Sequence, residues 1–134
     1  MKLLSQSNKE LEDFYDILKE VVKNKFNLKV VEKKMYTPIN MNKKYVYINT
    51  KIDLRSKVHL LNGLLIKLTA NNMLGRELSK QISTDDMNYI SGKLYHWYTN
   101  DELINEIPTN KENSDKVLIN LDFAYKKAKE NLAI

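Results

Sequence analysis

The side chains that could do chemistry in this sequence are two histidines, two pairs of neighbouring acids and a long run of lysines. The chain has no cysteine, so a metal site would rest on His59 or His96 together with carboxylates. No Asp or Glu follows His59 at three or four residues, the spacing that shares a helical face. We therefore interpret His59 as a partly buried, hydrogen-bonded histidine, and we expect neither a metal nor another cofactor.

Two acidic pairs, Asp85-Asp86 and Asp101-Glu102, both come where a helix is predicted to begin. The positive end of the helix dipole favours carboxylates in the first turn, so capping accounts for both pairs without acid–base catalysis. The three glycines form no phosphate-binding loop, and no local pattern indicates a Ser-His-Asp or lysine-based site. We predict that the chain is not an enzyme.

The basic residues are concentrated in one stretch. Between Lys19 and Lys57 there are 11 basic and 3 acidic residues, whereas the net charge of the whole chain is +5. Lysines that share a face attract phosphates or acidic protein surfaces, and exposed tyrosines between them can stack on unpaired bases. The alternative is a solvated edge whose lysines hinder strand aggregation. The predicted binding lysines are Lys29, Lys33, Lys34, Lys43, Lys44 and Lys51, and the interleaved tyrosines are Tyr36, Tyr45 and Tyr47.

Arginine is nearly absent, since Arg55 and Arg76 are the only two among 22 basic residues. Bidentate arginine contacts are the commonest device for reading bases, so this composition favours electrostatic attraction without sequence specificity. Codons for lysine and asparagine are rich in A and T. The composition therefore also indicates an AT-rich bacterium, or a phage or other mobile element of one.

A second candidate surface lies on the helix predicted from Asp85 to Tyr98. Its apolar residues point inward at helical spacing; they are Met87, Ile90, Leu94 and Trp97. At about 100° per residue, Tyr89, Lys93 and His96 then point outward. An exposed aromatic residue beside a histidine and a lysine is typical of a protein interface, so we predict binding there too. The alternative is that these three are ordinary exposed residues.

Apolar periodicity defines the elements that must position these residues. Ser7 and Glu10 form a capping box that should begin a first amphipathic helix, with one apolar face from Leu11 to Val22. β-Branched and aromatic residues then predict two strands, at 28–36 and 45–50, joined as a β-hairpin by the turn-forming residues 37–42.

The helix from Asp53 to Asn72 is apolar over most of its surface, which favours a buried position at the centre of the domain. Thr50 or Asp53 should cap it. Three more helices are predicted, over 85–98, 101–107 and 117–132. The order α-β-β-α-α-α-α indicates a mostly helical α+β fold, in which one β-hairpin packs against a helical bundle around the central helix 53–72.

The length of 134 residues fits one domain, so we predict a single domain over 1–134. The apolar start, Met1 to Leu4, is too short for a signal peptide, and no apolar run approaches the length of a membrane span. We expect a cytoplasmic protein with no membrane partner.

The order of a helix, two strands and a central helix, with Ile48-Asn49 in the second strand, resembles the front of the ImmA/IrrE-type zinc metallopeptidases. In that family a strand with Ile-Asn leads into a helix that carries His-Glu-x-x-His. The corresponding segment here, residues 62–66, reads Asn-Gly-Leu-Leu-Ile and lacks both histidines and the glutamate. The resemblance covers the front half of the chain and implies an inactive relative, with no zinc and no proteolysis.

Two functions from different classes are consistent with these patterns. The first is a small non-catalytic protein that docks on another macromolecule, an acidic protein or a nucleoprotein complex, as an inhibitor or regulator. The second is a low-specificity nucleic-acid-binding protein that uses the lysine-rich hairpin. The second hypothesis predicts binding that falls steeply with salt and that weakens for all sequences alike when the lysine charges are reversed.

Overall fold

The computed structural model of the chain describes the backbone of residues 4–99 and 107–134 and the side chains of residues 8–98 and 107–134. The elements in these ranges are α1 (Leu4–Phe26), β1 (Lys29–Lys33), β2 (Ile39–Met41), β3 (Tyr45–Asn49), α2 (Leu54–Ser79), α3 (Thr84–Thr99) and α4 (Lys111–Leu132). The predicted class, mostly helical α+β, is confirmed. The short helix predicted over 101–107 falls almost wholly on residues 100–106, which lie outside the described residues.

Helix α1 begins earlier than predicted and ends on a specific backbone signal. It already includes Leu4, so the predicted start at a Ser7–Glu10 capping box was wrong. At its end Asn27 adopts a positive φ of 56°. The Asn27 N–H donates to the Lys23 carbonyl at 3.0 Å and the Leu28 N–H to the Val22 carbonyl at 3.4 Å. The Asn27 bond, from a left-handed residue to the carbonyl four residues back, is the αL capping pattern that turns the chain out of the helix.

The sheet contains three strands in the order β1-β3-β2. β1 runs parallel to β3, with Lys29 opposite Tyr45 and Lys33 opposite Asn49. β2 runs antiparallel to β3, with Ile39 opposite Ile48. The predicted hairpin between 28–36 and 45–50 was therefore wrong in its pairing. The tight connection after Asn42 makes β2 and β3 the hairpin, and β2 arises from the segment that was predicted to be the turn.

Helix α2 begins where predicted and is buried on one side. Asp53 is its N-cap, because its Oδ1 accepts the Ser56 N–H at 2.7 Å. The buried positions are Val58, Leu61, Asn62, Leu65, Ile66, Thr69 and Ala70. His59 is exposed, so its predicted partial burial was wrong. A central position for the whole helix stays a prediction.

Helix α2 also continues past its predicted end near Asn72, through a break at Gly75. Gly75 has φ 82° and ψ 167°, a backbone conformation that only glycine adopts without strain. We predict that Gly75→Ala lowers the free energy of unfolding by about 2 kcal/mol in urea denaturation. Gly63→Ala is the matched control: Gly63 is helical, a Cβ there meets nothing within 4 Å, and the change should stabilise by about 0.5 kcal/mol. Equal effects of the two substitutions would contradict this assignment of strain.

The chain divides into two compact units, Met1–Leu61 with Tyr125–Ile134, and Asn62–Ala124. The core of the first unit includes Phe14 and Tyr125. Their rings pack edge to face, with 5.9 Å between the ring centroids. In the second unit Asn62 is buried and its Nδ2 donates to Ser91 Oγ at 2.9 Å. A single domain over 1–134 stays a prediction.

The start of α3 is held by a buried carboxylate. Asp86 is fully buried. Its Oδ2 accepts the Ser83 N–H, the Ser83 hydroxyl and the Thr109 hydroxyl, each at 2.9 Å. Its Oδ1 accepts the Asn110 N–H at 3.1 Å, and the Ser83 hydroxyl in return accepts the Asp86 N–H at 3.1 Å. The predicted capping role is confirmed, and the same carboxylate also fixes the chain entering α4.

Candidate nucleic-acid interface

The register of the sheet sorts the lysine-rich segment onto two faces. Opposed residues on paired strands share a face, and neighbours along a strand alternate. Val46 and Ile48 are fully buried, so they define the inner face, together with Val30 and Glu32 opposite them on β1. The outer face consequently carries Lys29, Val31 and Lys33 of β1, Asn40 of β2, and Tyr45 and Tyr47 of β3.

Cationic and aromatic groups meet directly on this outer face. Lys33 Nζ lies 4.3 Å from the centroid of the Tyr47 ring. The rings of Tyr45 and Tyr47 lie 5.7 Å apart with an interplanar angle of 33°. Such a cation–π contact on an exposed surface is worth about 0.5–1 kcal/mol. The ammonium group is therefore placed over the ring and is held there only weakly.

Asn42 shapes the loop that carries the next two lysines. Its Oδ1 accepts the backbone N–H groups of Lys44 and Tyr45, both at 2.8 Å, and its own N–H donates to the Tyr45 carbonyl at 2.9 Å. These bonds turn the chain between β2 and β3 and leave both Lys43 and Lys44 exposed. The Asn42 Nδ2 also donates to the Tyr47 hydroxyl at 3.3 Å, which ties the loop to the outer face.

Asn49 plays a similar part at the other end of β3. Its side chain is nearly buried, and its Nδ2 donates to the Met35 carbonyl at 2.9 Å. Its backbone N–H donates to the Pro38 carbonyl at 3.0 Å, and its Oδ1 accepts the Lys51 N–H at 3.0 Å. The loop that carries the fully exposed Tyr36 is therefore anchored to the sheet. Asn42 and Asn49 were missed as positioning residues; their places at the end of the predicted turn 37–42 and near the end of the predicted strand 45–50 were the available signal.

The acidic residue of the segment 27–51, Glu32, is neutralised on the inner face. Lys57 Nζ donates to its Oε1 at 2.7 Å, and the Tyr15 hydroxyl donates to its Oε2 at 3.1 Å. Burial works to raise the pKa of Glu32, but these bonds outweigh it and hold the pKa below the ordinary value. Burial and the same carboxylate raise the pKa of the Tyr15 hydroxyl well above its ordinary value. Glu32 thus remains ionised and already partnered, away from the outer face.

The predicted lysines are brought together in part. Lys29 and Lys33 lie on the outer face, and Lys43 and Lys44 lie on the adjoining loop. Lys34 directly follows β1, and Lys51 comes two residues after the end of β3. All six are exposed. Within the described side chains none of them takes part in a salt bridge. We call Lys29, Lys33, Lys43, Lys44, Tyr45 and Tyr47 the lysine–tyrosine face.

The second predicted surface, on α3, is less open than expected. Lys93 is exposed and its Nζ lies 5.7 Å from the centroid of the Tyr89 ring. Tyr89 and His96 are only partly exposed, and the His96 Nδ1 is buried with no hydrogen-bond partner in the described part of the chain. Binding at Tyr89, Lys93 and His96 stays a prediction, and the lysine–tyrosine face is the stronger candidate.

Residues 62–66, which correspond by position to the metallopeptidase motif, offer no metal ligands. Asn62 donates to Ser91, and Ile66 is fully buried. Within residues 8–98 and 107–134 no three acids and histidines come close enough to hold a metal ion.

None of the described helices combines the length and apolarity needed to cross a bilayer. No family model, no curated protein and no solved structure matches this chain.

Proposed function

We propose that this chain is a non-catalytic binding protein whose lysine–tyrosine face binds single-stranded nucleic acid without sequence specificity. One observation carries the proposal: lysines and tyrosines share the outer face of the sheet, while the carboxylate of Glu32 lies on the inner face and is already paired with Lys57. A positively charged surface with exposed aromatic rings is the combination that single-strand binders use.

The contact between Lys33 and Tyr47 suggests how a nucleotide is accommodated. A base stacked on an aromatic side chain contributes about 1–3 kcal/mol, which exceeds the value of an exposed cation–π contact. A base can therefore take the ring face over which Lys33 Nζ now lies, 4.3 Å from the centroid. Lys33 is then released to a phosphate. The other three lysines of the face extend the path for the backbone.

Salt dependence tests this proposal directly. Four phosphate contacts predict a slope of about −3 for log K against log salt on single strands, because each contact contributes about −0.7. Fluorescence anisotropy with labelled single strands of mixed, purine-only and pyrimidine-only sequence measures the slope and the specificity. We expect similar slopes for the three strands and weaker binding to the matched duplex, whose bases are not free to stack. Absence of binding at low salt would contradict the proposal.

A second candidate function is docking on another protein as an inhibitor or regulator in a phage or mobile-element setting. The specific observation in its favour lies on α4, where Ile119 and Phe123 are 69% and 70% exposed. They are four residues apart and therefore neighbours on one helix face, and exposed apolar patches commonly mark protein interfaces. Native mass spectrometry of the tagged protein from host lysate would reveal an equimolar complex that Phe123→Ser abolishes. A complex unaffected by Phe123→Ser would count against docking through α4.

A further inference from the structure

The second unit contains a cleft whose lining includes no residue of the lysine–tyrosine face. Its volume is about 220 Å³. Its lining residues come from α2 before the break at Gly75 and from the segment after that break. The lining residues are Ile66, Lys67, Ala70, Asn71, Ser79, Lys80, Ile82 and Met87. The volume is below the range of about 300–1,000 Å³ typical of sites for drug-sized ligands, so the cleft suits a smaller molecule.

The lining combines an apolar floor with polar side chains. Ile66 and Ala70 are almost fully buried, whereas Lys67, Asn71 and Lys80 are exposed at the rim. None of the eight lining residues is acidic. Within the described side chains neither Lys67 nor Lys80 takes part in a salt bridge. An apolar surface beside two ammonium groups, with no acidic residue in the lining, is complementary to an anion with an apolar tail.

We propose that this cleft binds a small organic carboxylate with a short, unbranched apolar tail. The tail lies against Ile66, Ala70 and Met87. The carboxylate accepts hydrogen bonds from the ammonium groups of Lys67 and Lys80. A ligand that has only the apolar tail or only the carboxylate contacts only part of the lining. Tight binding therefore requires both groups.

Octanoate is the probe for this proposal, with 1-octanol and acetate as matched ligands that lack the charge or the tail. We expect octanoate to bind about tenfold more tightly than either, with NMR shift changes at the backbone amides of Ala70, Asn71 and Ile82. The double variant Lys67→Gln/Lys80→Gln removes two exposed charges without disturbing the core. It should weaken octanoate binding by about tenfold or more, whereas Lys111→Gln/Lys127→Gln, at two exposed lysines that are not among the lining residues, should not.

Four outcomes would overturn the proposal. They are no shift change up to about 10 mM octanoate, equal affinity for 1-octanol, unchanged binding by the Lys67→Gln/Lys80→Gln variant, and shift changes confined to other parts of the chain. Single-strand binding by the lysine–tyrosine face is measured separately, so the two proposals fail independently.

Discussion

Neutralising the four lysines of the lysine–tyrosine face should weaken single-strand binding by about a thousandfold at about 50 mM salt. The substitutions are Lys29→Gln, Lys33→Gln, Lys43→Gln and Lys44→Gln. Each phosphate contact raises the binding constant by about 0.7 of a power of ten for each tenfold dilution of salt below about 1 M. At about 50 mM, four contacts therefore supply more than three powers of ten in the binding constant. All four side chains are exposed, and the fold should be retained, as circular dichroism can verify. Fluorescence anisotropy measures the affinity.

A control with the same charge separates a defined site from general attraction. The control substitutions are Lys111→Gln, Lys116→Gln, Lys126→Gln and Lys127→Gln, all at exposed positions of α4. Both variants lose four positive charges, so the net charge falls from +5 to +1 in each. The control should keep most of its affinity. If both variants lost affinity equally, binding would reflect net charge and the assigned face would be wrong.

Substitutions of Tyr47 distinguish base stacking from electrostatic attraction alone. Tyr47→Ala in the native background should cost about tenfold to a hundredfold in affinity for single strands and little for duplex. Tyr47→Phe keeps the ring and loses only the hydroxyl that Asn42 contacts, so its affinity should stay close to native. Equal losses for the two substitutions would contradict stacking.

Asp86→Ala should be the most destabilising substitution outside the apolar core, lowering the free energy of unfolding by about 3 kcal/mol. The carboxylate is fully buried and accepts four hydrogen bonds, from Ser83, Thr109 and Asn110. Its removal leaves those donors without their acceptor and deletes the helix cap. Urea denaturation followed by circular dichroism measures the loss. Asp85→Ala, an exposed acid in the same first turn, is the control and should cost only a few tenths of a kcal/mol.

The same carboxylate predicts a specific acid sensitivity. Burial works to raise the pKa of Asp86, but the hydrogen bonds from Ser83, Asn110 and Thr109 outweigh it and hold the pKa at about 2, against an ordinary 3.8. Because the folded pKa lies below the unfolded one, the stabilisation is complete above about pH 4 and is lost as the pH falls towards 2. The loss should be about 2 kcal/mol.

Asp86→Asn has no carboxyl group to titrate and is the control for this pH dependence. Its stability should change less than that of the native protein between pH 4 and pH 2. Parallel stability curves for the two proteins over this window would contradict the assignment to Asp86.

Local sequence patterns predicted the fold class and the features that depend on short-range chemistry. The apolar positions Leu11 to Val22 repeat at helical spacing and do form the buried face of α1. The caps Asp53 and Ser83 were predictable because a side chain bonds to backbone only two or three residues away. The start of α1 was wrong because a capping box at Ser7 is a weak signal when helix-forming residues precede it.

The composition of the lysine–tyrosine face was decided by tertiary structure. The sequence determined that six lysines and three tyrosines occur between 27 and 51, but which of them share a face depends on strand pairing. Pairing is a long-range choice: β3 lies between β1 and β2 and runs parallel to β1. This register places Lys29 and Lys33 on the same face as the tyrosines and Glu32 on the other face, where it pairs with Lys57. The contacts of Asp86 with Thr109 and Asn110 span more than 20 residues and were likewise invisible to periodicity. Local patterns specify elements, whereas the meeting of side chains from different elements is set by packing, which requires the folded chain.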